Sequence, residues 1–403
     1  MEVFSKCSFG SEKLNHSEDS VKIGQEIVER CARNPLAIRV VGSFLFGQDE
    51  SKWQSFLDIG LANFRESHDN ITPIQLLSYH HLESPIKCCF SYCALFPKDF
   101  EIGKEILISL WMAQGYIMPL DKGQSIEDAG EEYFSILLWR CFFQDVKKNE
   151  DGEINSCKIH DLMHEIAQKV TQGEISAKTV SIDDLDKKVR HLSFDRSSFA
   201  NYSFNNTHIR SFLNVNDNFQ FVNMEQLLPV KALVAICKCL RALDLSELNI
   251  KSLSSSMGNL LHLRLQGLGA SATHRQIAIS EEEPLYFPSL EQLWLKNLPK
   301  SKGWMKSGVE VGDVHLSQLK SLVIDICPEL TWIPLSPILE DLTCLFELRI
   351  KCDKAVESLA ELGVILHSCS SSLRSLIIHD IHKLKTLYGG LEQSHCTGEA
   401  TDI

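Results

Sequence analysis

Residues 143–170 read FQDVKKNEDGEINSCKIHDLMHEIAQKV. Two short alternating runs flank Asp151-Gly152, a dipeptide that favours tight turns because glycine accepts positive φ. A β-hairpin is therefore expected over residues 143–160. KIHDLMHEIAQKV then carries helical periodicity. Three helices are expected upstream of the hairpin. SPIKCCFSYCALF is stopped by Pro97. GKEILISLWMAQG presents Ile106, Leu107, Leu110 and Trp111 on one face, with Gly115 in the C′ position. The third opens on Ser125-Ile126-Glu127-Asp128, a capping-box pattern, and runs on through EEYFSILLWRCFF. Three helices and a hairpin in this order describe a winged-helix domain over residues 84–175.

Upstream, residues 20–83 show four short helical patterns. SVKIGQEIVERCA places Val21, Ile27, Val28 and Cys31 at helical spacing behind Ser20 as N-cap. Pro35 suits the first turn of PLAIRVVGSFLF, which is apolar on most sides and so expected to be buried. ESKWQSFLDIGLANF and TPIQLLSYHHL complete a small bundle.

Residues 176–403 are repetitive. The spacing LxxLxLxxL occurs from Leu240 through Leu243, Leu245 and Leu248, and from Leu290 through Leu293, Leu295 and Leu298. Looser copies begin at Val189, Leu319, Leu345 and Leu373. Such spacing marks the strand of a leucine-rich repeat, which buries alternate side chains against the neighbouring coil. Arg241, Ala242, Asp244, Glu291, Gln292 and Trp294 lie between framework leucines and are expected to form or flank an outer face. Residues 266–287 match no repeat and read as a loop or join, where repeats have been lost. The fold class expected is α+β multidomain: helical bundle and winged helix, then an α/β-type leucine-rich-repeat solenoid.

Composition narrows the function classes. Hydrophobic residues make up 44% and charged residues 23% of the 403, a globular balance. Residues 1–185 hold 18 Lys and Arg against 29 Asp and Glu, a net of -11 within the chain total of -13. That acidic half opposes DNA binding through the winged helix, since phosphate needs a basic face. The 14 cysteines sit in apolar runs such as KCCFSYCALF, which suits core thiols in a reducing compartment. Cys88, Cys89 and Cys93 read as core rather than a metal set. The Glu281–Glu283 run reads as a solvated loop. No uninterrupted apolar stretch reaches the ~18 residues of a membrane span.

His160 and His164 stand four apart, as in the zinc motif H-E-x-x-H, but Asp161 follows the first histidine and no third ligand is near. A partly buried histidine at a helix start is the plain alternative. No Ser/His/Asp or Cys/His triad and no two-carboxylate pair emerges from the spacing.

Together, in order, the motifs resemble those of the plant intracellular immune receptors that join a nucleotide-binding switch to leucine-rich repeats, in the coiled-coil class. RCARNPLAIRVVG looks like the family's Gly-Leu-Pro-Leu motif, with Arg33 and Asn34 at the first two positions. CCFSYCALFPKDFEI followed by LISLWMAQGYI is similar to the opening of its winged-helix subdomain. Ile159-His160-Asp161 looks like Met-His-Asp. The resemblance implies that His160 meets the β-phosphate of ADP, that Asp161 favours the helix dipole, and that Pro35 and Leu36 line the adenine side. It implies a cytoplasmic receptor whose repeats meet a protein ligand, a pathogen effector or a guarded host protein.

The family's phosphate loop, ending Gly-Lys-Ser/Thr, has no counterpart in this sequence, and neither has its acidic Walker B strand. Residues 1–19 then correspond to the end of the nucleotide-binding subdomain, and the chain reads as N-terminally truncated. The expectation is a non-enzymatic fragment that holds no cofactor alone, whereas intact members bind ADP or ATP. The second reading is an ADP-binding, ATP-hydrolysing protein whose missing part is supplied in trans.

Overall fold

The structure is a computed structural model and describes residues 18–31, 35–60, 73–149, 151–177, 188–194, 208–215, 228–246, 252–253, 255–269, 277–279, 285–296, 304–305, 314–325, 342–351 and 372–379. The chain divides into two compact units, Met1–Ile175 and Ser176–Ile403.

The first unit begins with α1 (Glu18–Arg30), α2 (Pro35–Leu45), α3 (Glu50–Ser55), a π-helical turn Phe56–Gly60, and α4 (Pro73–His80). Ser20 lies inside the first turn of α1 rather than capping it, and Val21 is 38% exposed. The buried face is Ile27, Val28 and Cys31. Asp49 caps α3, its carboxylate accepting from Lys52 N–H at 2.9 Å. Trp53 is buried, and its indole N–H donates to Leu45 O at 3.1 Å, which removes the cost of an unpaired buried donor. Residues 61–64, expected to extend the third helix, and residues 1–17 lie outside the described residues.

Next come α5 (Ser84–Tyr92), a 3₁₀ turn Cys93–Leu95, β1 (Ile102–Gly103), α6 (Lys104–Gln114), α7 (Ile126–Trp139), β2 (Phe143–Lys148), β3 (Ile154–Ile159) and α8 (Asp161–Val170). Phe96 stops the chain's helical turn in extended geometry, φ −88 and ψ 144, because Pro97 crowds the α conformation of the residue before it. Gly115 ends α6 at φ +73, a conformation that penalises any Cβ. Ser125 Oγ caps α7 by accepting from Asp128 N–H at 3.0 Å. α6 and α7 approach closely: a Cβ at Gly130 would fall 2.5 Å from Ile108 Cγ2.

β3 is the centre of a three-stranded antiparallel sheet in the order β1-β3-β2. Its hairpin loop is wider than a two-residue turn. Asn149 closes it, with Asn149 N–H donating to Glu153 O at 2.8 Å and Asn149 Oδ1 accepting from Glu153 N–H at 2.8 Å. Gly152 takes φ +82. Large aromatics fill the core around this sheet. Phe90 meets Phe142 edge-on at 4.6 Å, Phe134 stacks on Phe143 at 5.1 Å, and Trp111 and Tyr133 are wholly buried.

The second unit is built on a nine-stranded sheet. It is entered by β4 (Ile175–Ala177), β5 (His191–Phe194) and β6 (Ser211–Asn214). α9 (Leu228–Ile236), β7 (Ala242–Leu245), β8 (Ser252–Leu253), a 3₁₀ turn Ser255–Asn259 and β9 (Leu265–Gly269) follow. Then come β10 (Ile277–Ile279), β11 (Leu285–Tyr286), β12 (Gln292–Lys296), β13 (Trp304–Met305), β14 (Val314–His315), β15 (Ser321–Asp325), β16 (Glu347–Lys351) and β17 (Ser375–His379). The large sheet runs β17-β16-β15-β12-β9-β7-β6-β5-β4. The pairs from β5 to β17 are parallel. Beside it, β8, β10 and β13 form a small parallel sheet, and β11 pairs β14.

The sheet's register aligns one framework layer. Leu192, Phe212, Leu243, Gln266, Leu293, Leu322, Leu348 and Leu376 stand at equivalent positions on successive strands. This corrects the reading of residues 266–287. β9 is a full member of the sheet between β7 and β12, and residues 277–279 and 285–286 are strands too. β9 escapes the leucine pattern because Gln266, with no exposure, takes a framework place where its neighbours carry leucine or phenylalanine. β6 was also unmarked, since Phe212 and Asn214 replace leucines at its framework positions.

Candidate functional site

His160 stands between β3 and α8. Its backbone is extended, φ −64 and ψ 135, so it caps the helix rather than opening it. Its N–H donates to Phe142 O at 3.2 Å, which fixes the residue against the end of α7. Its ring Nδ1 accepts from Leu162 N–H at 3.3 Å. The first amides of a helix lack intrahelical partners, and Nδ1 satisfies one of them. With Nδ1 accepting, the neutral ring carries its proton on Nε2, a donor.

Burial pushes the His160 pKa below its ordinary value, and the positive charge of Arg39 pushes the same way. Asp161 and Asp145 oppose them. Asp145 sits in a bulge of β2 at φ +50, an uncommon conformation for a residue with a Cβ. Asp161 is exposed at the first helical position, where its charge complements the helix dipole. The site thus offers an imidazole N–H, a helix N-terminus and a nearby guanidinium on an otherwise acidic unit. Those groups suit one edge of an anion.

Pro35 and Leu36 form the first turn of α2; nothing is described of their side chains. Arg39 is exposed one turn beyond Pro35 on the same helix. Sequence reasoning passed over it, although its i+4 spacing from Pro35 places both on one face of α2.

His164 plays a different part. It is 2% exposed, and its Nε2 lies 2.8 Å from Phe96 O, so the Nε2–H donates to that carbonyl. Among the described residues its Nδ1 has no partner. This bond ties α8 to the turn before Pro97. The two rings are committed to separate tasks, and the i,i+4 spacing does not converge them, because His160 is not helical. Among the described residues no group of three or more His, Cys, Asp or Glu could hold a metal ion. Cys89 and Cys93 are fully buried, and burial raises both thiols well above their ordinary range. Cys88, expected in the core, is exposed instead, because it lies on the opposite side of α5.

The outer face of the large sheet is the second candidate surface. Arg241, Asp244 and Glu291 are half-buried there, but Ala242, Gln292 and Trp294 are nearly closed off, at 0, 8 and 5% exposure. Strands ~4.8 Å apart let long neighbours cover short or flat side chains. Lys296, for example, holds its Nζ 5.0 Å above the Trp294 ring. Further along, Glu347 accepts from Ser321 Oγ at 2.5 Å and pairs with Arg349 at 2.8 Å. Just before the strands, Arg190, Arg210, Arg241 and Arg264 occupy one position on four successive strands, each amide donating to the carbonyl of the arginine before it. The aligned segments VRHLSF, IRSFLN, LRALDL and LRLQGL carry that signal in the sequence.

Comparison with known proteins adds the following. Residues 95–167 match the disease resistance protein winged helix domain, a segment that includes His160, Asp161 and His164. The chain is similar to disease resistance protein RGA2 of Solanum bulbocastanum, 33% identical over 263 residues, which is 64% of this chain and 24% of that protein. It is similar to disease resistance protein RPP13 of Arabidopsis thaliana, 28% identical over 343 residues, 79% of this chain and 39% of that protein. The chain therefore spans about a quarter to two fifths of the length of these relatives.

Proposed function

Because this chain belongs to the plant disease-resistance proteins, we propose that it serves as the switch-and-recognition portion of a cytoplasmic immune receptor. The observation that carries this is the pairing, in one chain, of the matched winged helix with a sheet of parallel strands. Strands β5, β6, β7, β9, β12, β15, β16 and β17 begin 20, 31, 23, 27, 29, 26 and 28 residues apart, which is the interval of leucine-rich repeats. On this reading the repeats form a solenoid whose outer face meets a protein, a pathogen effector or a guarded host component. Extended repeat surfaces suit protein contact rather than catalysis. Among the described residues no helix is long and apolar enough to cross a membrane. A line in which the gene is disrupted should become more susceptible to at least one pathogen in a challenge panel. Unchanged infection across the panel would count against the role.

In the same reading His160 is a phosphate sensor, with Asp161 and Arg39 shaping its charge and Pro35 and Leu36 on the adenine side. Bound ADP would supply the phosphate that His160 reads. These residues would meet only one edge of it. One charge-assisted hydrogen bond contributes about 1.5–3 kcal/mol, short of the roughly 4 kcal/mol of a millimolar complex. Calorimetry of residues 1–403 with ADP should therefore register no binding, with or without His160→Ala. Micromolar binding abolished by that substitution would favour the second reading, a nucleotide-binding protein in its own right.

A further inference from the structure

The arginine row at the entrance to the large sheet differs from the rest of its own column. Arg210 N–H donates to Arg190 O at 2.6 Å, Arg241 N–H to Arg210 O at 2.8 Å, and Arg264 N–H to Arg241 O at 2.9 Å. Beyond Arg264 the same position holds Glu291 and then Lys320. There the signs alternate, and the side chains lie against one another: Glu291 sits 3.7 Å from Arg264 and 2.9 Å from Lys320. Neighbours in this column thus reach each other, and the acid screens the bases on either side. The first four positions carry four like charges in succession, at the ~4.8 Å spacing of adjacent strands. Like charges so placed repel, and an anion laid across them removes the repulsion. Asp244, on β7, is the nearest acid described, and its Oδ1 accepts from Ser246 N–H at 2.8 Å. The field of the row reaches inward as well. Arg210, Arg190 and Arg241 add to burial in pushing the His191 pKa down to about 3.

We propose that Arg190, Arg210, Arg241 and Arg264 form a docking strip for an acidic α-helical segment of a partner protein. This rests on the reading of the sheet as a protein-recognition surface and names the chemistry of the partner. Spacing selects the helix. Acidic residues at i, i+4, i+7 and i+11 advance about 5.3 Å per step, so they drift from the row by only about 1.5 Å over three steps. Same-side residues of an extended strand advance about 6.7 Å and drift by more than 5 Å. A compact anion spans two arginines at most. The row is long, straight and rigid, so a linear array of carboxylates uses all of it.

The test uses two helical peptides of identical composition and fluorescence anisotropy on residues 1–403. One peptide places Glu at i, i+4, i+7 and i+11; the other spreads the same residues around the helix. The patterned peptide should bind about tenfold more tightly, and R210S with R241S should remove about tenfold of its affinity, with an unchanged circular dichroism spectrum. R374A, in the same column but beyond Phe346, should leave binding unchanged. Equal binding of the two peptides, or indifference to R210S with R241S, would overturn the proposal. If the double variant does not fold, the comparison between the peptides decides. Inorganic tripolyphosphate binding as tightly as the patterned peptide would assign the row to a compact anion and also overturn it. A negative result here beside a clear infection phenotype would remove the acidic helix and leave the receptor role standing.

Discussion

The winged-helix segment and the large sheet bury their cores by opposite means. In residues 84–170 each large side chain is used once. Trp111, Tyr133, Phe90 and Phe142 fill places that no other residue duplicates. In the sheet one layer is copied from strand to strand, with Leu243, Leu293, Leu322 and Leu348 in register. A core of singular parts fails as a whole. A core of copies fails locally, since each strand depends chiefly on its neighbours.

The contrast is tested hardest at Trp111, which has no exposure. Trp111→Ala should cost about 3–5 kcal/mol. Urea unfolding followed by hydrogen exchange should show amides across α5, α6, α7 and the hairpin losing protection together. Loss confined to α6 would mean that the segment is less cooperative than its packing implies. Leu243→Ala in the sheet should cost about 2–4 kcal/mol. Its exchange signature should centre on β6, β7 and β9, and a near-zero cost would show that Leu243 is not framework.

His191 makes the sheet sensitive to acid in a way its leucines are not. It is 3% exposed, its Nδ1 lies 2.9 Å from Ser211 Oγ, and its folded pKa is depressed to about 3 by burial, with the arginines adding. The unfolded chain binds the proton near pH 6.5. Stability from the neutral ring is therefore complete above pH 6.5 and is lost as pH falls toward 3. Between pH 7 and pH 5 the loss should be about 2 kcal/mol. His191→Asn should flatten that part of the profile, whatever it costs at pH 7. An equal acid loss in the variant would place the titration elsewhere.

Gln266 tests the copying rule from the other side. Its amide Oε1 has no partner among the described residues, and its Nε2 has only Met257 Sδ at 3.9 Å. Seven other strands carry Leu or Phe at that place. An unmet buried amide costs about 1–3 kcal/mol, so Gln266→Leu should stabilise the chain by about 1–2 kcal/mol. A neutral or destabilising result would indicate that Gln266 has a partner beyond the described residues.

How far the sequence could be read follows the same division. The hairpin, its capped helices and the Gly115 stop were legible because local turn and cap chemistry decides them. The strands at Leu240, Leu290, Leu319, Leu345 and Leu373 were legible by spacing alone. β6 and β9 were not, since Phe212 and Gln266 interrupt the leucine pattern while the backbone ladder continues through them. The buried state of Ala242, Gln292 and Trp294 was hidden as well. Exposure on a sheet face depends on which side chains the adjacent strands supply, and that register appears only in the folded molecule. At His160 the helix boundary was readable, but the proximity of Arg39 joins residues 121 positions apart. Local periodicity carries no such information.

The smallest expected effect concerns His160, where structure and descent make separable claims. As N-cap, its Nδ1 satisfies Leu162 N–H. Deleting a cap acceptor usually costs about 0.5–2 kcal/mol, and His160→Ala should fall near the lower end because the contact is long at 3.3 Å. Asparagine caps as well as any residue, so His160→Asn should restore stability. The two variants also differ in acid. A protonated imidazole has no acceptor, so the native cap opens when Nδ1 takes a proton. Because the folded pKa of His160 is depressed, the capping contribution is present above its ordinary value and is lost as pH falls below it. His160→Asn has no such titration and should keep its cap through that range. Thermal unfolding of the native chain and both variants at neutral and acidic pH separates these outcomes. If His160→Asn is no more stable than His160→Ala, the ring does not cap α8. Its place in the fold would then have to be explained by its Nε2–H and the anion it faces.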